Sequence, residues 1–183
     1  MVQKSCKKRN IYIIVSQTGT ILSRIIKVVT GDEYNHASIS MDSTMEAMYS
    51  FGRRHPYNPV WGGLVMESPF TGTFKRFRGT QAIILCLTVD EEQYDQIEKY
   101  LRWMYRNRGK YHYNYIGLFL ALFHKPYRQK NCYYCSEFVR EILARFGVAS
   151  EEMFEEIIKP MHFLNLPDAN IVYRGRLADY AAY

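Results

Sequence analysis

The segment of residues 131–147 constrains the fold of this chain most, because it predicts an amphipathic helix with a cysteine in its first turn. Gly147 is typical of the position just after a helix. Cys135, at the helix start, faces unpaired backbone N–H groups and the positive end of the helix dipole, which favour a thiolate. Cys135 is therefore a candidate nucleophile. The apolar residues at helical spacing are Phe138, Val139, Ile142, Leu143 and Phe146.

Strand patterns dominate the first half of the chain. Residues 11–15 and 81–89 are apolar enough for strands buried in a sheet. Residues 35–41 alternate with period two, and turn residues 42–44 join them to residues 45–51, which predicts a hairpin. A loop is predicted over residues 52–63, which are rich in Gly, Pro and Arg, and a short strand over residues 64–67.

Helical patterns dominate the second half. They predict a helix capped by Asp90, a buried helix over residues 116–123, and a short acidic helix from Ser150 before a last strand at residues 171–173. One earlier helix is predicted over residues 21–29. Strands followed by helices, without repeats or a linker, predict a single α+β domain over residues 1–183, with an antiparallel sheet flanked by helices.

Charge and composition narrow the choice of compartment and partner. The net charge is +6, with basic clusters at residues 4–9, 53–54 and 75–78, which are compatible with an anionic surface. No nucleic-acid motif accompanies them, so no specific nucleic-acid partner is expected. The chain shows no signal peptide and no apolar run long enough to span a bilayer. We expect a cytoplasmic protein. Its positive charge is also compatible with peripheral contact with a membrane.

The remaining cysteines do not indicate a disulfide framework. Four cysteines in 183 residues, without a secretion signal, are too few for a disulfide-stapled domain. Cys86 lies in an apolar strand and is expected to be a buried, inert thiol. Cys132 and Cys135 have the spacing of a dithiol redox motif, but the βαβ unit and cis-proline strand that would accompany such a motif are not evident.

A cysteine nucleophile requires an imidazole base. Of the five histidines, His36 is the best geometric partner for Cys135, because it opens a strand and a strand end can aim a ring rigidly at a helix terminus. The other four histidines lie in segments with loop-like or exposed sequence. They are His55, His112, His124 and His162.

These residues resemble a known family. His36-Ala-Ser-Ile-Ser, followed about 100 residues later by Cys135-Ser-x-Phe-Val, is similar to the circularly permuted branch of the NlpC-type papain-like cysteine hydrolases. That branch includes the YiiX-like proteins and relatives of lecithin:retinol acyltransferase. Three further motifs look like a bacterial subgroup with this layout, and the resemblance runs from Ile11 to about Tyr180. The three motifs are Tyr49-Ser-Phe-Gly-Arg53, Gly62-Gly-x-x-x-Glu67 and Tyr113-Asn-Tyr115.

The resemblance implies a permuted papain-like fold and a polar residue that orients His36. The family position for that residue falls near Met48, which cannot orient an imidazole. If residues 42–44 form the turn, Ser50 lies opposite His36 and Glu46 lies opposite Ser40, roughly 13 Å along the strand from His36. Glu67 on the next strand is therefore the preferred orienting residue, and Glu46 is the second choice.

The implied activity is thiol-dependent hydrolysis or acyl transfer on an amide or ester, through Cys135, His36 and Glu67, with no metal or organic cofactor. Peptides, isopeptides and lipid esters are all compatible substrates. The Cys135 N–H would bind the oxyanion with a second donor, either Tyr113 or Tyr115. Two alternatives stay open: a catalytically silent binding module with the same fold, and a dithiol redox protein.

Overall fold

The structure is a computed structural model that describes residues 7–17, 31–55 and 58–180. The predicted helix at residues 21–29 lies outside these residues. The strands are β1 (Lys8–Gln17), β2 (His36–Ser40), β3 (Met48–His55), β4 (Asn58–Glu67), β5 (Gln81–Asp90), β6 (His112–Tyr113), β7 (Cys132–Tyr133) and β8 (Asn170–Arg176). The α-helices are α1 (Gly72–Arg76), α2 (Glu91–Arg106), α3 (Tyr115–Ala121), α4 (Cys135–Arg145) and α5 (Leu177–Tyr180). Short 3₁₀ turns cover Arg108–Lys110, Glu151–Met153 and Pro160–Asn165.

Six strands form one antiparallel sheet in the order β4-β3-β2-β1-β5-β8. The strand β1 lies inside the sheet because its apolar residues alternate, with Ile11, Ile13 and Val15 on one face and Ile14 on the other, all fully buried. Strands β6 and β7 form a separate parallel pair. The predicted α+β class with an antiparallel sheet and helices is therefore confirmed.

The main core lies between the sheet and helices α2 and α4. Helix α2 buries Tyr94, Ile97, Leu101 and Met104. Helix α4 buries Phe138, Val139, Ile142 and Leu143, as its spacing predicts. A smaller core on the opposite face of the sheet contains Ile14, Met45, Met48, Phe74, Ala82, Ile84 and Leu177. Both faces of the sheet are thus covered, which fixes the register of its central strands.

The predicted hairpin has the wrong register. Ser40 lies opposite Met48, not Glu46, so the connection between β2 and β3 is longer than the predicted turn. Met45 within this connection has φ 57° and a fully buried side chain in the smaller core. Burial of this side chain therefore holds a left-handed backbone that local turn residues do not predict.

The predicted loop at residues 52–63 is also wrong. Strand β3 extends to His55 and β4 begins at Asn58, so most of this segment is a hairpin. Glycines allow the close packing: a Cβ on Gly63 would lie 2.6 Å from Nη2 of Arg54 and 2.8 Å from the carbonyl oxygen of Tyr111. The local sequence, rich in Gly and Pro, predicts a loop because the groups that pack over these glycines come from other parts of the chain.

Two smaller expectations need correction. The predicted buried helix at residues 116–123 is present as α3, but Ile116, Phe119 and Phe123 are exposed. The acidic helix from Ser150 is only the 3₁₀ turn Glu151–Met153. Cys86 is half-buried, and burial raises the pKa of its thiol, consistent with the inert role expected for it.

Candidate active site

The candidate site forms where three elements begin or end. His36 is the first residue of β2, Cys135 is the first residue of α4, and Glu67 is the last residue of β4. Strand ends and a helix start place side chains rigidly while leaving one side of the site open to loops. The fold thus brings together the three residues that the sequence selects.

Glu67 reaches His36 across the intervening strand β3. Its Oε2 lies 2.8 Å from Nε2 of His36. The two side chains can meet over β3 because the residue of β3 at this point is Gly52, which has no side chain. A Cβ on Gly52 would lie 3.4 Å from Oε1 of Glu67 and 3.8 Å from Cε1 of His36. A larger side chain at Gly52 would occupy the space through which the two side chains meet.

Two other residues hold this pair in place. The hydroxyl of Ser38, two residues along β2 and so on the same face as His36, donates to Oε2 of Glu67 at 2.9 Å. The ring of Phe74 lies 6.2 Å from the His36 ring, centroid to centroid. The side chains of His36 and Glu67 are only 12% and 15% exposed. The Glu67 carboxylate is therefore held by two hydrogen bonds, to His36 and to Ser38, in a site that is largely shielded from solvent.

Cys135 completes the site on the other side of the imidazole. Its Sγ lies 4.0 Å from the carbonyl oxygen of Asn35, immediately before His36. Its side chain also interacts with that of His36, which raises the pKa of the imidazole. Since Nε2 of His36 faces Glu67, the other ring nitrogen, Nδ1, is the one left for the thiol. The imidazole therefore lies between a carboxylate and a thiol.

The electrostatics of the site favour a charged imidazole. Burial lowers the pKa of His36, but the charge of Glu67 and hydrogen bonds to Cys135 and Glu67 outweigh burial and raise this pKa to about 10. The positive ring of His36 lies beside Cys135, which is the first residue of α4.

The two tyrosines considered as oxyanion donors occupy different places. Tyr113 lines a cavity with Cys135, and burial and the Cys135 charge raise the pKa of its phenol well above the usual range, so it remains a neutral donor. Tyr115 packs over Gly62, where a Cβ would lie 2.6 Å from its hydroxyl, and it interacts with Arg53. Of the two, Tyr113 is the one beside the thiol.

A cavity of about 50 Å³ adjoins Cys135. Most of its lining is apolar or aromatic, including Tyr113, Leu118, Leu122 and Ile158. Lys159 and Asp32, which also line it, form an ion pair of 3.0 Å. The Cys135 thiol therefore faces a mainly apolar cavity whose wall also contains the Lys159–Asp32 ion pair.

The other candidates selected from the sequence lie away from this arrangement. Glu46 is exposed in the connection between β2 and β3, where its backbone N–H donates to Oγ1 of Thr44. His112 and His124 are exposed, and His162 lies 3.7 Å from a carboxylate oxygen of Glu155. Cys132, one element before Cys135, has its pKa raised by burial and by the charge of Glu137.

Ser38, Gly52 and Asn114 stand within the motifs quoted from the sequence, but sequence reasoning gave them no role. The alternation of β2 could have selected Ser38, because it shares a face with His36. Asn114 caps α3 by accepting the Gly117 N–H, and its amide donates to Glu137 at 3.3 Å. The contacts of Gly52 with Glu67 and of Asn114 with Glu137 arise between elements distant in sequence, whereas the capping of α3 by Asn114 is a local pattern.

Comparisons with known proteins identify no relative: no protein-family model, curated protein or solved structure matches the chain. Among residues 7–17, 31–55 and 58–180, no group of three or more His, Cys, Asp or Glu side chains could hold a metal ion. None of the described helices is long and apolar enough to cross a membrane.

Proposed function

We propose that this protein is a thiol-dependent hydrolase or acyltransferase acting on an amide or ester carbonyl. The observation that carries the proposal is the His36 imidazole, held 2.8 Å from Glu67 and also interacting with the side chain of Cys135. Acyl transfer through a thioester requires a thiol, an imidazole beside the thiol, and a carboxylate that orients the imidazole.

In the proposed mechanism the Cys135 thiolate attacks the substrate carbonyl carbon and a tetrahedral oxyanion forms. The N–H of Cys135, with the Tyr113 hydroxyl as second donor, stabilises that oxyanion. The His36 imidazolium then gives its proton to the leaving amine or alcohol, which leaves an acyl-thioester and a neutral imidazole. His36 next removes a proton from water or from an acceptor alcohol or amine, whose attack releases the acyl group and restores the thiolate.

We further propose that the sheet and helix α4 form a permuted papain-like, NlpC-type domain. The order of the site residues supports this, because the histidine strand β2 precedes the cysteine helix α4. Substrates compatible with the site are peptide amides, isopeptides and lipid acyl esters. The apolar cavity beside the thiol favours a substrate with an apolar group next to the carbonyl.

One observation favours a second candidate, a binding module that keeps the fold without catalysis. Cys135 is only 5% exposed and the cavity beside it is small, so access to the thiol is restricted. A dithiol redox function is disfavoured by the raised pKa of Cys132, because thiol–disulfide exchange requires a thiolate.

Alkylation of the intact protein separates these functions without a known substrate. We expect iodoacetamide at about pH 6 to modify Cys135 much faster than a free thiol, because the proposed mechanism pairs its sulfur with a protonated imidazole. Cys135→Ala should abolish this adduct, and Cys132→Ala should retain it. Incubation with a lysate should then produce an acyl adduct, detected by intact mass spectrometry, on the same residue. Labelling of Cys135 no faster than a free thiol, with no acyl adduct, would favour the binding module.

A further inference from the structure

Helix α3 and the turn after it expose an apolar surface that no described element covers. Ile116, Phe119 and Phe123 recur at helical spacing and are 56%, 60% and 60% exposed. The two phenylalanine rings touch, with centroids 5.2 Å apart. Together the three side chains expose on the order of 300 Å², the scale at which a surface patch marks an interaction site.

The chain that follows this apolar surface is basic. Lys125 and Lys130 are exposed and form no ion pair within the described ranges, and Arg128 is exposed with Glu137 as an electrostatic neighbour. The excess of basic residues extends over a longer segment. Residues 99–136 contain eight Lys or Arg and no Asp or Glu, whereas the rest of the chain contains 16 Lys or Arg and 18 Asp or Glu. The net positive charge of the protein is thus concentrated in the segment that contains α3.

The same helix connects this surface to the candidate active site. Its other side contributes Leu118 and Ala121 to the cavity beside Cys135, and Leu122 follows them. The exposed and cavity-lining side chains are separated by less than one helical turn. A surface that contacts α3 therefore lies within one helix diameter of the thiol.

We propose that this docking face, formed by Ile116, Phe119, Phe123, Lys125 and Lys130, binds the surface of an anionic lipid membrane. Aromatic and aliphatic side chains beside lysines, on a short helix and the turn and loop that follow it, are a composition typical of membrane-interface segments. The charges of the exposed Lys125 and Lys130 are complementary to anionic headgroups, and a protein partner would have to present acidic groups opposite both. Docking would place the Cys135 cavity next to the lipid.

Flotation of the full chain with vesicles tests the proposal. We expect binding to vesicles in which about a third of the lipid is phosphatidylglycerol, and much weaker binding to pure phosphatidylcholine. Binding should weaken between about 0.15 M and about 1 M salt, because salt screens the lysines. Lys125→Gln with Lys130→Gln should weaken binding about 30-fold, since each basic residue near an anionic surface contributes about fivefold. Phe119→Ser with Phe123→Ser should weaken it about 100-fold.

Two matched controls address nonspecific effects. Ile171→Ser with Val172→Ser removes an equally exposed apolar pair from β8, at 51% and 49% exposure, and should bind vesicles as the wild type does. Lys75→Gln with Arg78→Gln removes two exposed charges near α1 with the same expectation. Equal binding to both vesicle types, or an equal loss in the control variants, would overturn the proposal.

The occupant of the docking face is also tested by sedimentation velocity without lipid. A dimer that the Phe119→Ser with Phe123→Ser variant dissociates would identify a second copy as the occupant and overturn the membrane proposal. The proposed thiol chemistry is tested separately, because Cys135→Ser should bind vesicles as the wild type does. Vesicle binding without thiol reactivity would refute only the chemistry, and thiol reactivity without vesicle binding would refute only the docking.

Discussion

Glu67 is the residue on which the charge of the His36 ring depends. Glu67→Gln keeps the size of the side chain but removes the charge that opposes the burial of the imidazolium. We expect the rate of Cys135 alkylation at about pH 6 to fall by about 100-fold, since the ring beside its sulfur would then be neutral. The rate of adduct formation by mass spectrometry measures this.

Ser38→Ala is the control for this change. It removes a hydrogen bond to the same carboxylate oxygen but leaves the charge of Glu67 next to the ring. We expect a loss of less than about tenfold, the effect of one neutral hydrogen bond. Equal losses in the two variants would show that the position of Glu67 matters and its charge does not.

His36 should also make stability depend on pH. Its pKa is about 10 in the folded protein and 6.5 ordinarily, so the folded state holds the proton more tightly. The resulting stabilisation is complete below pH 6.5 and is lost as the pH rises through about 10, on the order of 2–5 kcal/mol. Urea unfolding of the wild type should show this loss.

His36→Gln removes the titrating ring and should flatten the free energy of unfolding over the same pH window. The difference between the two curves isolates His36 from the tyrosines and lysines that also titrate there. Parallel curves for the wild type and His36→Gln would contradict a charged imidazole in the folded state.

At the scale of elements, Glu137 connects α4 to α3. It accepts the Tyr134 N–H at 3.0 Å and the Asn114 amide at 3.3 Å, and Asn114 also donates to the carbonyl oxygen of Tyr127. Burial raises the pKa of Glu137 to about 7, although these hydrogen bonds and the charges of Arg128 and Arg140 oppose the change. One partly desolvated carboxyl therefore joins the start of α4, where Cys135 lies, to the start of α3.

Glu137 makes a second pH-dependent contribution. Because its folded pKa lies above the ordinary 4.5, the folded state loses stability as the pH rises from 4.5 through about 7, on the order of 1–3 kcal/mol. Glu137→Gln should remove this loss and be more stable than the wild type at about pH 8. Thermal unfolding measures the difference. The control is Glu141→Gln, one turn along α4, and an equal effect there would refute a specific role for Glu137.

Gly63 tests how tightly β4 packs against the segment before α3. A Cβ there would lie 2.6 Å from the Arg54 guanidinium, which itself donates to the carbonyl oxygens of Arg108 and Tyr111. Gly63→Ala should destabilise the protein by about 1–3 kcal/mol. Gly79→Ala, with no atom within 4 Å of the new Cβ, should change stability by less than about 0.5 kcal/mol. Urea unfolding compares them, and equal values would contradict the packing.

Across the whole molecule, protection from hydrogen exchange should be uneven. Strands β1 and β5 each pair on both sides, whereas residues 123–131 are all exposed. Amides in β1 and β5 should exchange only through global unfolding, and those in residues 123–131 at least about 1,000-fold faster. Mass spectrometry of deuterated peptides measures this. Slow exchange in residues 123–131 that disappears on dilution would indicate that a second copy covers them.

Much of this architecture was predictable from the sequence. Periodicity identified β5, α2 and α4, and the positions of His36 and Cys135 at element starts selected residues that the fold brings together. The register of β2 and β3 was not predictable, because the buried Met45 holds a backbone that turn residues do not specify. The exposure of α3 was not predictable either, since an apolar helix has the same composition whether or not another element covers it.

The place of β1 inside the sheet has a consequence for synthesis of the chain. Its partner β5 begins at Gln81, and β5 in turn pairs with β8, which begins only at Asn170. At 5–20 residues per second, a ribosome takes roughly 3–13 s to proceed from the end of β1 to the start of β5. During that time one hydrogen-bonding edge of a strongly apolar strand has no native partner, so β1 is open to pairing with other chains until β5 has been made.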